Sequence, residues 1–493
     1  MASSVAPVMR RFVSTPAAIA AVLLAAGGCG GLGPRATWQL PNGDLEGTRA
    51  VATHLGAERL RVRWRFRFTA AATYSGSFAS TPVADADTVY VQDLRSNVFA
   101  LDTRTGAQRW SHRFGALNEG PNGLAVDNGR VYGATDASAF ALAKSNGRLL
   151  WRRHLTGQTA QFVDVAPVVW KNLVFTSTIG YAPFGRGTIY ALDAATGKVR
   201  WSFDTIERPW QHPLEAGGGG LWYPVSVDSD GRLYAGNSNP SPWGGSPARP
   251  NGAAFPGPAR YTDSLLVLDA RTGKLLWYDQ VTPHDIRDYD FEATPIVAQV
   301  QGRDVVFGAG KAGRVIAWDR DTQARLWNVE VGLHRNDTGP LPRRRVTVCP
   351  SLLGGVETPM AYADDRLFVP VVDLCGSGSA TSRQDLAKLD PARGRGRLVA
   401  LDAATGRRLW QRRFPSPDFG CATVAGDVVF TSTYDGTVYA LDARTGTVLR
   451  RLHMRAGSNA CPAVAGDTLL LGAGVRRSKT DVPELVALSA SGR

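Results

Sequence analysis

The sequence predicts an all-β fold: an eight-bladed β-propeller of four-stranded antiparallel blades with Trp-docking repeats. Three observations predict it. First, an eleven-residue phrase returns along the chain, as ALDTRTGAQRW (100–110), ALDAATGKVRW (191–201), VLDARTGKLLW (267–277) and ALDAATGRRLW (400–410). Worn copies stand at 141–151, 317–327 and 440–450, and a truncated one at 485–492 brings the count to eight. Second, a return of short strands roughly every 40–50 residues marks a propeller. Third, small or kinked pairs recur ahead of the phrases: Thr81-Pro82, Ala166-Pro167, Tyr223-Pro224, Thr294-Pro295, Thr358-Pro359, Cys421-Ala422 and Cys461-Pro462. These read as openings of the innermost strands, which line a central channel.

Taken in order, the chain opens on Arg10 and Arg11, an apolar run from Phe12 to Ala26, and Gly27-Gly28-Cys29. A basic flank, a short apolar core and small residues before a cleavage point predict a secretory signal over 1–28. Cys29 after Ala-Gly-Gly is the expected lipidated residue of an exported lipoprotein anchored to a membrane. The apolar run is too short to span a bilayer. Residues 29–37 read as a linker and 38–493 as the propeller. Within 38–65, RVRWRFRF alternates strictly and is expected to close the ring against the C-terminal segment, leaving no exposed sheet edge.

Inside each phrase an apolar strand ends in Leu-Asp. Asp-x-x-Thr-Gly then reverses the chain, with Gly supplying the left-handed position, and the next strand carries the Trp. One Trp per blade, wedged against its neighbour, is the expected packing element. Two intervals between phrases, 201–277 and 327–410, exceed the others by about 30 residues, and such surplus belongs in loops on a face of the disc, where propellers carry their sites. Beyond Cys29 four cysteines remain, an even count that suggests two disulfides in an exported chain. Cys421 and Cys461 hold the same place in consecutive repeats and are expected to pair, which leaves Cys349 with Cys375. No CxxCH occurs, so no c-type haem is indicated.

The net charge of +13 rests mostly on arginines scattered through turns, with no dense basic stripe interleaved with aromatics. Nucleic acid is therefore not expected as a partner. An anionic membrane surface or cell-wall polymer is the lesser alternative to a solvated, Arg-biased surface.

The chemistry concentrates in 215–320, with GGGGLWYP (217–224), GNSNPSPWGG (236–245), YDQVTPHDIRDYDFE (278–292) and FGAGKAGRVIAWDR (307–320). This order of motifs resembles pyrroloquinoline quinone (PQQ)-dependent alcohol dehydrogenases, and the repeats over 40–490 together with WQLPNGDLEGTRA (38–50) extend the resemblance. It implies that Asp288 is the base taking the alcohol proton while hydride moves to the quinone. It implies that Asn239, rather than Asn237, puts an amide oxygen on the metal, that Trp222 stacks on the cofactor, and that Lys311 contacts the quinone oxygens. The metal would be calcium, or, with the additional carboxylate of Asp290, a lanthanide, held by Asn239, Asp288 and Asp290. The chain departs from the family at Ala182, where a metal-binding Glu is usual, and at Asn122, where an Arg is common. The family's adjacent-cysteine pair is missing. Asp290 or Glu215 is the candidate to restore the carboxylate. His212 and His284 read as structural, because no zinc-like spacing accompanies them. No nucleophile elbow is present.

The implied function is that of an exported PQQ-dependent dehydrogenase. It would oxidise an alcohol-type small molecule and pass electrons to an external acceptor. The alternatives are a non-enzymatic propeller lipoprotein serving as an envelope scaffold, and a degenerate PQQ-binding-like protein.

Overall fold

A computed structural model describes residues 37–69, 76–181, 185–207, 217–252 and 259–490. Cys29, Ala182, His212 and Glu215 lie outside them. Seven blades are continuous in sequence, at 83–112, 124–154, 161–204, 226–280, 296–330, 361–414 and 423–453, and we number them 1 to 7. In blade 8 the strands within 463–489 are joined by Arg61–Arg67, which pairs antiparallel with Glu484–Ser489. The expected ring closure is thus observed. In blade 3 the innermost strand is split into Gln161–Val163 and Val168–Trp170, both on Leu173–Gly180. No helix among the described residues is long and apolar enough to cross a membrane.

The repeated phrase explains how each blade meets the next. Its Asp caps the turn: Asp193 Oδ1, for instance, accepts from the backbone N–H of Thr196 at 2.9 Å and from its hydroxyl at 2.8 Å. The Trp then crosses the junction. Trp64, Trp110, Trp151, Trp201, Trp327 and Trp410 each donate Nε1–H to a backbone carbonyl of the following blade, at 2.8–3.1 Å. Each ring lies over the turn glycine of that blade, where a side chain would collide with it.

Two junctions depart from this rule. At the turn of blade 5, Gln323 takes the glycine's place with φ 64°. There Asp279 bridges the blades, accepting from Trp318 Nε1 at 2.6 Å and Arg325 Nη2 at 2.8 Å. In blade 7 the Trp is replaced by Arg450, which donates to the Glu58 carbonyl just ahead of the closing strand.

The segment 38–51 does something its sequence does not announce. It runs along the innermost strands as a strap. Trp38 pairs with Ala84 of blade 1, and the carbonyls of Gln39, Leu45, Glu46, Thr48 and Arg49 accept from Val126, Val227, Val297, Tyr362 and Val424 at 2.8–2.9 Å. Blades 1, 2, 4, 5, 6 and 7 are all tied this way. Arg49 is fully buried, and its guanidinium donates to the carbonyls of Pro41, Ala422 and Pro462 and to Asn42 and Thr423. Beside it Cys421 and Cys461 form a disulfide between the openings of blades 7 and 8, Cα–Cα 5.0 Å. Cys349, in the connection between blades 5 and 6, and Cys375, after the strand Arg366–Asp373 of blade 6, form the other, Cα–Cα 4.5 Å.

A pair of substitutions isolates the junction contact. Gly197 and Gly129 both have positive φ, 70° and 75°, but a Cβ on Gly197 would meet the Trp151 ring at 2.6 Å while one on Gly129 meets nothing within 4 Å. Both alanine variants carry left-handed strain of about 1–2 kcal/mol. Gly197→Ala is expected to cost about 1–3 kcal/mol more, from overpacking. Chemical denaturation of the two variants checks this, and equal losses would remove the Trp–Gly dock as a stabilising contact.

Candidate functional site

The stretch 285–292 is built to present carboxylates. Asp285 folds the turn by accepting from the backbone N–H of Arg287 and Tyr289 at 2.8 and 2.9 Å. Arg287 anchors it to the carbonyls of Asn336, Thr338 and Gly339, and Tyr289 Oη donates to Pro350 O at 2.8 Å. Asp288 then takes φ 70°, a conformation that costs energy in a non-glycine residue and collects at functional sites. Beyond it successive side chains point to opposite sides, as extended chain requires. Asp288, Asp290 and Glu292 face a central cavity, while Tyr289 and Phe291 are buried away from it.

Three further loops converge there. Gly310 lets the turn after Arg303–Ala309 close on Asp290, whose carbonyl a Cβ at that position would meet at 2.1 Å. Lys311 N donates to that same carbonyl at 3.0 Å, and its Nζ reaches Asp290 Oδ2 at 2.5 Å and Asp288 Oδ2 at 3.4 Å. Asn239 follows the strand Arg232–Gly236, donating its backbone N–H to Asp290 Oδ1 at 2.7 Å and its amide Nδ2 to Asp288 Oδ1 at 2.5 Å. Asn237 instead holds the glycine run, accepting from Gly220 N at 2.9 Å and donating to Thr205 O and Tyr261 O. That run delivers Trp222 to the cavity.

The cavity encloses about 630 Å³. Phe162, Tyr181, Trp222 and Tyr223 form an aromatic wall, with Phe162 and Tyr181 stacked at 5.5 Å. Glu119, Asp288, Asp290, Glu292 and Glu357 also line it, and Lys311 is the one cationic side chain among its described lining residues. All five residues singled out in sequence, Trp222, Asn239, Asp288, Asp290 and Lys311, are therefore brought together. Glu119, Glu292, Glu357 and most of the aromatic wall were not anticipated. Glu292 had a readable signal, since 288, 290 and 292 alternate with aromatics. Glu119, ahead of blade 2, and Glu357, ahead of blade 6, had none. Asn122 is buried and donates to Asp93 O, and His284 bonds Asn251 O at 2.7 Å, so both serve structure.

Burial dominates the electrostatics. It pushes the Asp288 carboxyl up to about 7, assisted by the nearby Asp290 and Asp285 and opposed by Lys311. It pushes Glu357 up to about 8 and Glu292 well above the usual carboxylate range. Burial works against the Lys311 ammonium, yet Asp288, Asp290, Glu292 and Glu357 outweigh it and hold Lys311 above its ordinary value. Buried polar atoms without a hydrogen-bond partner line the cavity, among them Trp222 Nε1, Glu292 Oε1, Glu357 Oε1 and Thr358 Oγ1. Such atoms are costly unless a ligand or water meets them. Oxygen donors on Asn239, Asp288 and Asp290 suit a hard cation. The indole with its unmet N–H, beside a buried ammonium, suits a flat ligand bearing oxygen acceptors.

Comparison with known proteins adds the family context. The family model for the glucose/ethanol/alcohol dehydrogenase β-propeller domain matches residues 52–152 and 145–333, and that for the outer membrane protein assembly factor BamB matches 345–492. The quinohemoprotein alcohol dehydrogenase of Comamonas testosteroni is 28% identical over 434 residues, covering 72% of this chain and 60% of the relative. Its crystal structure superposes with a TM-score of 0.80 at 23% identity, over 93% of this chain and 81% of that one. A europium-containing methanol dehydrogenase gives a TM-score of 0.78 at 20% identity, over 92% and 98% of the two chains. The chain spans about 60% of the length of the first curated relatives it matches.

The raised carboxyls carry a stability signature. In the fold Asp288 and Glu357 keep their protons to about pH 7 and 8, against 3.8 and 4.5 as ordinary values, so in that window the folded state binds more protons than the unfolded one. Their contribution is full below about pH 4 and lost as pH rises through 7 to 8. The midpoint of thermal unfolding of metal-free protein is expected to fall from pH 5 to pH 8, with a shallower slope in Glu357→Gln. Identical slopes for the two proteins would contradict the assignment.

Proposed function

The chain belongs to the family of glucose/ethanol/alcohol dehydrogenase β-propeller domains, and from that membership we propose that it is an exported PQQ-dependent dehydrogenase acting on an alcohol-type substrate. The observation that carries the proposal is the convergence of Trp222, Asn239, Asp288, Asp290 and Lys311 on one cavity.

In this reading the Trp222 face bears the flat cofactor and Lys311 offers its ammonium to the cofactor's oxygens. Asn239, Asp288 and Asp290 supply oxygen ligands to calcium or a lanthanide. Bound PQQ supplies a two-electron acceptor. Asp288 takes the substrate hydroxyl proton; with a cation bound beside it, its carboxyl would give up the proton that burial favours and be free to act as base. Asn239 Nδ2 and Lys311 Nζ fix where its oxygens point. Five carboxyl groups against one ammonium leave the cavity short of positive charge for an anionic cofactor, so a metal cation is expected to be obligatory for loading. Asp290 is the carboxylate that stands in for the glutamate expected at Ala182.

Electrons would leave to a separate acceptor. The secretory signal over 1–28 and lipidation at Cys29 would hold the protein at the outer side of a membrane. The scaffold reading draws on the match of 345–492 to the BamB model. That region contains none of Trp222, Asn239, Asp288, Asp290 and Lys311, and a scaffold has no use for a buried ammonium among carboxylates.

Titration of PQQ into the protein with calcium, with a lanthanide and with neither is expected to quench tryptophan fluorescence only when metal is present. Asp288→Asn is expected to retain binding while dye-linked alcohol oxidation falls by about 10²–10⁴-fold. Lys311→Ala is expected to weaken binding itself. Failure to bind PQQ under every condition would discard the dehydrogenase reading.

A further inference from the structure

The arginines that the sequence scatters are gathered by the fold. The outermost strands of blades 6, 7, 8, 1 and 2 are Arg408–Phe414, Val448–His453, Arg61–Arg67, Gln108–His112 and Leu149–His154. Together they carry twelve arginines, three histidines and no carboxylate. The outermost strands of blades 3, 4 and 5 are Val199–Asp204, Leu275–Gln280 and Arg325–Glu330, with two arginines and three carboxylates. The five basic edges are consecutive around the ring, as the contacts of Trp410, Arg450, Trp64 and Trp110 with their next blades establish.

Little of this charge is neutralised locally. Arg63, Arg65 and Arg109 form ion pairs, with Asp467, Glu484, and Asp87 and Asp102 respectively. The other nine bond no carboxylate among the described residues. Some are held by backbone carbonyls, Arg153 by Gly197 and Arg412 by Gly446, which fixes the guanidinium without cancelling it. Arg61, Arg67, Arg152, Arg408, Arg413 and Arg451 are exposed.

We propose that this rim binds a flexible, linear, phosphate-bearing polyanion laid along the outer edges of blades 6, 7, 8, 1 and 2. Guanidinium groups take phosphate oxygens in bidentate fashion, and a row of them with no interposed acid suits a repeating phosphate. Shape favours a chain over a sheet. The basic arc covers five of the eight convex edges, which a flexible strand can follow but a flat lipid surface can meet only at one or two adjacent blades. Chemistry favours a polymer without bases. Single-stranded nucleic acid is held by aromatic platforms as well as charge, and here Trp64, Trp110, Trp151 and Trp410 are engaged in blade junctions. The rim is independent of the central cavity, so the proposal does not rest on the dehydrogenase reading.

The test uses the full chain and fluorescently labelled inorganic polyphosphate, followed by anisotropy over a salt series. Steep weakening with salt is expected, with log Kd rising against log salt at a slope of roughly 4–8, as release of counterions from that many phosphates requires. The combined variant Arg67→Gln, Arg152→Gln, Arg413→Gln and Arg451→Gln is expected to bind at least about 10-fold more weakly with a shallower slope. The control Arg343→Gln with Arg344→Gln removes exposed charge from the connection between blades 5 and 6 instead and is expected to shift binding less than about 2-fold. In the unaltered protein, polyphosphate is expected to protect the rim arginines from phenylglyoxal, a readout that needs no variant to fold. Equal losses in the two variants, or no protection, overturn the proposal. Anionic vesicles that bind the rim without competition from polyphosphate would reassign it to a membrane. Displacement of polyphosphate by single-stranded DNA at lower charge concentration would reassign it to nucleic acid.

Discussion

Eight sheets brought edge-on to a common axis leave eight innermost strands with one side of their backbone unpaired, and unpaired buried amides are expensive. The fold depends on what covers those edges. The strap 38–51 answers for six blades, placing one carbonyl after another opposite the opening amides. Arg49 completes the cover at blades 7 and 8, where its guanidinium meets the carbonyls of Ala422 and Pro462 beside the Cys421–Cys461 disulfide. Arg61–Arg67, a few residues on, closes the outer edge of blade 8. One short N-terminal stretch therefore seals both the centre and the circumference of the ring. Its charge also reaches the cavity, since Arg49 bears on Tyr223 in the cavity wall.

Above that cover the propeller keeps an arrangement that packing alone disfavours. An ammonium and several carboxyls are buried together, Asp288 is held at positive φ, and several polar atoms of the lining are left without partners. Each is unfavourable taken singly. They coexist because the Asp285 turn, the Arg287 anchor and the Gly310 approach fix the backbone on which they sit. Strain held in place by rigid surroundings marks a site shaped to receive something.

Much of this was legible in the chain. Asp-x-x-Thr-Gly and its Trp announced blades and junctions, because the turn needs a left-handed glycine and the indole needs a flat place to lie. The departures were legible too, at Gln323 and Arg450, although the Asp279 bridge that replaces one dock was not. Alternation in Asp288, Asp290 and Glu292 placed three carboxyls on one side of an extended segment. The strap could not be read, because its bonds use backbone carbonyls that every sequence possesses. Glu119 and Glu357 could not be read either: each enters the cavity from the connection ahead of another blade, and these connections have no local pattern in common. The basic arc was hidden for the same reason, its arginines lying up to nearly 400 residues apart in sequence yet on neighbouring edges.

The blade that joins the two ends of the chain also orders events in time. Arg61–Arg67 is among the first parts of the propeller to be synthesised, and its partner Glu484–Ser489 among the last. Until that last strand exists, Arg61–Arg67 lacks the partner with which it closes blade 8. Only the arrival of the final strand turns the disc into a ring. A chain with this topology cannot complete its ring until its last strand has been made.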